Sequence, residues 1–333
     1  MPMTSNEPLV SILVRSMDRP TLDRALDSAA AQTWPNLEIV VVAACGQRHR
    51  PLPGIWKGRS LRFVVPDPDA VLSRPEAANA CLDAGSGEWL NFLDDDDEFL
   101  PNHIETLLTE PRLPGIRLLY SSARVHDADG KFVGYSGREG FHIQLYSQCR
   151  TQTCATLFHR SLLDDGARFD ESFPIHEDQD FFVNCASRTA FQWVAAATCI
   201  WNGFVGDSGC GFGANSNDPD REMYYDRIRA KWKVQFDQWK REPEALIYLG
   251  QQHLKSGDLK LAVQCLEDAL QQRPNDPNAL NLCGMANFHD GQPERALRLL
   301  SEADRLYPGQ PGIRSNLDLV KRRIAEQAPG RRH

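Results

Sequence analysis

The C-terminal third of the chain repeats itself, and this restricts the fold more than any other feature. The segment PEALIYLGQQHLKSGDLKLAVQCLEDALQQRPND, from Pro243, aligns with PNALNLCGMANFHDGQPERALRLLSEADRLYPGQ, from Pro277, at an offset of 34 residues. Pro243, Ala245, Leu246, Gly250, Gly257, Ala262, Leu266, Ala269 and Pro274 fall on Pro277, Ala279, Leu280, Gly284, Gly291, Ala296, Leu300, Ala303 and Pro308. One such unit cannot bury its own apolar face, so the copies must stack on each other. Residues 311–327 read as a third, incomplete unit that acts as a capping helix. The repeats therefore occupy 243–276 and 277–310. A helical connector is expected over 226–242, a separate domain over 1–225, and a frayed basic tail over 328–333.

Small side chains at 250, 262, 269, 284, 296 and 303 would let paired helices approach closely. This pattern resembles the tetratricopeptide repeat, a helix–turn–helix unit. The resemblance implies an all-α domain with a concave surface for a protein partner.

The first 225 residues alternate strand-like and helix-like segments, which predicts an α/β fold with a largely parallel sheet. Leu9 to Val14 is a nearly continuous apolar run, as in a strand buried on both faces. A helix is expected from Pro20 to Gln32, strands over 38–43 and 62–65, a helix over 75–84, and a strand over 89–93. Asp127-Ala128-Asp129-Gly130, between 118–125 and 131–135, is a hairpin signal. A helix over 177–186, a strand over 191–200 and a helical connector over 218–239 follow.

Composition narrows the function classes. Of 333 residues, 41% are hydrophobic and 25% charged, as in globular chains. Acidic residues outnumber basic ones by 45 to 37, a formal net charge of −8, which argues against nucleic-acid binding through a net basic field. The longest apolar stretches, at 40–45 and 193–200, fall well short of the roughly 18 residues of a membrane span. The N-terminal MPMTSNEP has no basic segment ahead of an apolar one, so it makes a poor signal peptide. The nine cysteines include no CxxC pair, which fits a reducing compartment, and a cytoplasmic location is expected.

The strongest local signal is Asp94-Asp95-Asp96-Asp97-Glu98, directly after the strand-like WLNFL. Adjacent carboxylates repel one another, and a hard divalent cation such as Mg²⁺, Mn²⁺ or Ca²⁺ gives a reason to hold them together. Ligands of open α/β sheets also bind beyond the carboxyl ends of strands, where these residues fall. The alternative is a solvated acidic turn that opens a helix at Pro101.

Three segments extend this reading. PLVSILVRSMDRPTLDRALDSAAAQTWPNLEIVVVA, LSRPEAANACLDAGSGEWLNFLDDDDEFLP and RFDESFPIHEDQDFFVNCA, in that order, resemble family 2 inverting glycosyltransferases of the GT-A fold, a Rossmann-like mixed sheet that binds nucleotide-diphospho-sugars. The resemblance covers most of residues 8–187. It implies transfer of a sugar from a nucleotide-diphosphate donor (UDP-, dTDP- or GDP-linked) to a protein, peptide or surface-glycan acceptor, with inversion. It implies Mn²⁺ or Mg²⁺ held by Asp94 and Asp96 of the DXD-type motif, with Asp96 the more direct ligand. Asp94 or Asp95 would reach the ribose or base, and Arg19 and Arg74 would assist the diphosphate. Ser16, Asp18 and Asn79 complete the implied donor-binding set. Asp178 would be the base that activates the acceptor and Glu177 the residue orienting it. Asp180 and, more weakly, His176 compete for the base role.

The chain also departs from the family pattern. The acidic segment that commonly follows the second strand is replaced by Ala43, Ala44 and Cys45, whose side chains cannot accept a hydrogen bond from a uracil. At the first strand, Pro-Thr-Tyr-Asn becomes Arg15-Ser16-Met17-Asp18, so Asp18 or the local backbone would take over base recognition. Cys81 replaces a helix glycine, and residues 201–216 contain no histidine, although their glycines suit a lid. A second reading is a non-catalytic scaffold that binds proteins through its repeats. His49 and His103 read as solvated surface residues, and Cys149 and Cys154 lack the surroundings of a nucleophile.

Overall fold

The computed structural model describes residues 7–140, 142–146, 151–205, 211–213, 216 and 219–327. The tail over 328–333, Cys149 and most of the glycine-rich stretch over 206–218 lie outside the described residues. The chain divides into two compact units, one ending at Lys233 and one beginning at Val234.

The first unit contains strands β1 (Val10–Ser16), β2 (Leu37–Ala43), β3 (Ile55–Trp56), β4 (Arg59–Val64), β5 (Trp89–Phe92), β6 (Glu98–Phe99), β7 (Leu118–His126), β8 (Phe132–Ser136), β9 (Thr156–His159) and β10 (Phe191–Trp201). Its helices are α1 (Leu22–Ala30), α2 (Arg74–Ala84), α3 (His103–Thr109), α4 (Ser161–Asp164), α5 (Glu177–Ala186) and α6 (Arg221–Lys231). All ten strands form one sheet in the order β3-β4-β2-β1-β5-β9-β7-β10-β6, with β8 paired to β7.

β4, β2, β1 and β5 run parallel. β9 pairs antiparallel with both β5 and β7. β10 is parallel to β7 and antiparallel to β6. The sheet is therefore mixed rather than largely parallel. Between β7 and β9 the chain turns back through the hairpin strand β8 with no crossover α-helix among the described residues, and antiparallel pairing needs none. The chain leaves β1 toward β2 and later returns to β5 on the other side of β1. That reversal opens a crevice at the carboxyl ends of β1 and β5.

Both faces of the sheet are covered. Val10, Ile12 and Val14 of β1 pack with Leu22 and Leu26 of α1 and Ile104 and Leu107 of α3 in one core. On the opposite face Leu13, Leu90, Phe92, Ala78, Cys81 and Phe158 are fully or almost fully buried. There the rings of Phe169 and Phe181 stack at 4.1 Å, and Phe92 meets Phe169 edge-on at 5.5 Å. Phe181 lies on α5, so this aromatic packing carries the start of α5 to the crevice. Gly87 is required by close approach: a Cβ there would lie 2.5 Å from the backbone nitrogen of Ser11.

Two expectations for histidines are corrected. His103 is fully buried between Thr198 (2.6 Å) and Asn91 (2.7 Å) and stacks on Phe99 at 4.2 Å. Burial pushes its imidazole down to about 3. His49 is also buried, 2.8 Å from Ser16 Oγ and 2.7 Å from the carbonyl of Arg50. Neighbouring polar residues in sequence made both look exposed. The helix expected from Asp218 is shorter and broken: α6 ends before Trp232, whose indole N–H donates to Asp180 at 2.7 Å.

α7 (Lys233–Trp239) follows, and the second unit is a stack of helices: α8 (Pro243–Ser256), α9 (Leu259–Gln272), α10 (Pro277–His289), α11 (Pro293–Leu306) and α12 (Pro311–Gln327). The repeated residues have matching jobs. Pro243 and Pro277 open α8 and α10, where the missing N–H costs nothing. A Cβ on Gly250 or Gly284 would stand 2.6 or 2.7 Å from Cγ of Leu266 or Leu300, so only glycine lets the helix pairs approach this closely. Gly257 and Gly291 take φ of 85° and 78° in the tight turns between helices. Ala262, Ala269, Ala296 and Ala303 are fully buried.

Candidate active site

The crevice at the ends of β1 and β5 gathers most of the acidic candidates around a residue to which the sequence reading gave no role. Arg15, near the end of β1, points its guanidinium onto two carboxylates. Nε and Nη2 donate to Asp94 Oδ1 at 3.0 and 2.8 Å, and Nη2 also reaches Oδ2 at 3.1 Å. Nη1 donates to Glu177 Oε1 at 2.8 Å. The arginine lies 5.8 Å from the centre of the Phe92 ring and is largely buried. Burial opposes its charge, but Asp94 and Glu177 hold it protonated above its ordinary range. One guanidinium thus ties the acidic loop after β5 to the first residue of α5.

The four aspartates of that loop sit in different surroundings. Asp95 is fully buried. Its Oδ2 accepts from the Met17 backbone at 2.9 Å and from Ser16 Oγ at 3.2 Å, while its Oδ1 accepts from Arg19 Nη1 at 2.7 Å. It therefore clamps the loop between β1 and α1. Asp97 is buried, with its Oδ1 accepting from the Asn202 backbone at 2.9 Å, and burial followed by repulsion from Asp96 and Asp94 raises its carboxyl well above the usual range. Asp96 keeps a partly open side chain, 3.7 Å from Arg19 Nη1. Burial, then the charge of Asp94, pushes it up to about 6. Asn202 also donates to the Asp96 carbonyl at 2.6 Å, which fixes the loop from the far side.

Two strained positions flank the crevice. Asp18 and His176 both adopt φ of 59°, a left-handed conformation that costs a side-chain-bearing residue about 1–2 kcal/mol. His176 directly precedes α5 and turns the chain so that Glu177 faces inward. Glu177 is buried, which together with repulsion from Asp178 raises its carboxyl despite Arg15 and Arg74. Asp178 is half-buried, and its Oδ1 accepts from the Gln179 backbone at 2.8 Å. Asp180 points elsewhere: it is fully buried and paired with Lys231 and Trp232, each at 2.7 Å.

The remaining candidates have partners of their own. Arg74 opens α2 behind the Ser73–Glu76 capping box, and its charge acts on Glu177. Asp18 accepts from the Arg50 backbone at 2.9 Å. Ser16 is fully buried, held by His49 and Asp95. Asn79 is bound to the backbone of Phe169. The second unit offers a groove of about 360 Å³ lined by Glu267, Leu270, Gln271, Cys283, Arg295 and Leu299. Burial pushes the Cys283 thiol up to about 11, and Glu267 is paired with Arg295, so the groove lacks an activated group.

Known proteins resemble both parts of this chain. A tetratricopeptide-repeat family model matches residues 247–311. The chain is similar to glycosyltransferases. YwdF of Bacillus subtilis, an uncharacterized glycosyltransferase, is 24% identical over 237 residues, covering 67% of this chain and 83% of the relative. The succinoglycan biosynthesis protein ExoO of Rhizobium meliloti is 27% identical over 52% of this chain and 54% of its own length, so the chain spans about half of that relative. S. aureus TarS 1–349, also solved with UDP-GlcNAc, aligns over 95% of this chain and 91% of its own at 15% identity and a TM-score of 0.45. Among the described residues no helix is long and apolar enough to cross a membrane.

Proposed function

We propose that the first unit moves a sugar from a nucleotide-diphosphate sugar to an acceptor hydroxyl, with inversion at the anomeric carbon. The carrying observation is the Arg15 guanidinium joining Asp94 to Glu177, because it puts the acidic loop and the start of α5 at one small site. The similarity to curated glycosyltransferases supports the same reading.

Asp96 suits a divalent cation. Its carboxylate is mostly withdrawn from water beside like charges, and such a group is relieved by a cation. No group of three or more acidic, histidine or cysteine ligands occurs among the described residues. Mn²⁺ or Mg²⁺ would be held first by Asp96, while Asp94 beside it stays bound to Arg15. When bound, it would neutralise charge growing on the departing diphosphate. Arg19 and Arg74 supply further positive charge. Asp178 takes the acceptor proton, and the buried, Arg15-held Glu177 orients that encounter. A UDP-, dTDP- or GDP-linked donor fits this chemistry. The helical repeats present either the protein or glycan acceptor or a protein partner.

Thermal melts with a panel of nucleotide-sugars, with and without Mn²⁺, test the reading. A donor at 100 times its dissociation constant adds about 2.7 kcal/mol. The expected result is one donor class that stabilises the wild type only with Mn²⁺ and fails to stabilise Asp96→Ala. Absence of any donor shift in the folded wild type overturns it.

A further inference from the structure

We propose that Arg15 is a positioning residue that locks Asp94 and Glu177 into one unit and withholds Asp94 from the cation, leaving Asp96 as the carboxylate that meets it. This rests on the glycosyltransferase reading for its biological setting, but its chemistry is testable without a sugar. The geometry is specific. Asp94 accepts three N–H contacts from Arg15, between 2.8 and 3.1 Å, two on Oδ1 and one on Oδ2. A carboxylate gripped by a guanidinium fork has little charge and few lone pairs left for a metal. Asp96, two residues on, meets Arg19 only at 3.7 Å, because the Arg19 Nη1 hydrogen bond goes to Asp95 at 2.7 Å.

The third guanidinium nitrogen gives Arg15 its second task. Glu177 lies 162 residues away in sequence, and Nη1 of Arg15 holds it at 2.8 Å. Because Asp178 follows Glu177, any shift of the acidic loop is passed through Arg15 to the start of α5. A cation and a diphosphate settling on Asp96 would thereby reset the position of the base. A lysine offers one point charge where two carboxylates must be bridged in a fixed plane, so it cannot replace the arginine fully.

The test is Mn²⁺ binding to the full chain, followed by electron paramagnetic resonance of free Mn²⁺, without nucleotide. Freeing Asp94 and Glu177 in Arg15→Met should tighten Mn²⁺ tenfold or more over wild type, and Arg15→Met with Asp94→Asn should reverse most of that gain. An unchanged affinity in folded Arg15→Met overturns the proposal. Should Arg15→Met fail to fold, Asp94→Asn and Asp96→Asn decide in the Arg15 background. Asp94→Asn should leave Mn²⁺ affinity within twofold of wild type while Asp96→Asn weakens it tenfold or more, and equal losses overturn the proposal. A parallel titration with UDP present separates the two claims. If UDP never enhances Mn²⁺ binding while the Arg15→Met response is intact, the donor reading falls and the role of Arg15 stands. The reverse pattern retains the donor site and removes Arg15 from it.

Discussion

The side-chain amide of Asn79 grips the backbone of Phe169 at both ends: its Oδ1 accepts from the Phe169 N–H at 3.1 Å, and its Nδ2 donates to the Phe169 carbonyl at 3.0 Å. This contact sews α2 to the irregular segment ahead of α5, and Nδ2 also reaches Glu171 at 3.1 Å. Asn79→Ala should therefore cost about 1–3 kcal/mol, the penalty of leaving partly buried backbone groups unpaired. The donor-induced melting shift should remain. Loss of that shift at unchanged stability would place Asn79 in the donor site.

His103 makes a pH prediction. Its neutral ring is held between Asn91 and Thr198, and burial pushes it down to about 3. The unfolded chain takes up a proton near pH 6.5, while the folded protein does not until near 3. The unfolded state thus binds more protons in this window, so stability is full above about 6.5 and falls as pH drops toward 3, by up to about 1.4 kcal/mol per unit. His103→Gln should be less stable than wild type at pH 7 but lose less on going to pH 4.5. Urea titrations at both pH values decide this. Parallel losses in the two proteins would show that other groups dominate.

The physical reach of each signal explains what the sequence disclosed. β1, β2 and β5 were legible because strands buried on both faces read as apolar runs. The helical repeat was legible because glycine at 250 and 284 is enforced by contact with Leu266 and Leu300. β9 was missed: four residues, TLFH, between polar segments carry too little pattern. The acidic loop was found, but its four aspartates looked alike, since only folded neighbours separate the clamp Asp95 from the more weakly paired Asp96. Arg15 was noted as a departure from the family pattern but given no role, because its partners are 79 and 162 residues away. A single charged residue in an otherwise uncharged, buried strand was the available clue.

Gly284 tests the repeat. Alanine is favoured over glycine in a helix by about 1 kcal/mol, yet its Cβ would lie 2.7 Å from Leu300 Cγ. Overpacking typically costs about 1–3 kcal/mol, so Gly284→Ala should destabilise the full chain by about 1 kcal/mol in urea. Leu300→Ala removes the clashing group and leaves a cavity. The double variant should therefore be more stable than the sum of the single changes predicts, by about 1 kcal/mol. Simple additivity would place the helix contact elsewhere.

Asp95 and Asp96 should separate folding from ligand binding. Asp95→Asn removes the charge that receives Arg19 while the site remains fully buried, and should cost about 2–4 kcal/mol. Asp96→Asn does the opposite. Its carboxyl is pushed up to about 6, first by burial and then by Asp94, so at pH 7.5 the ionised form strains the folded loop. Neutralising it should leave the melting temperature in EDTA unchanged or raise it by a few degrees. The same variant should lose the Mn²⁺-dependent donor shift. A residue that costs stability yet is needed for binding fits a cation site, because the bound cation supplies the missing charge. If Asp96→Asn lowered the melting temperature in EDTA as much as Asp95→Asn, Asp96 would be a structural clamp like its neighbour, and the cation would have to be sought elsewhere.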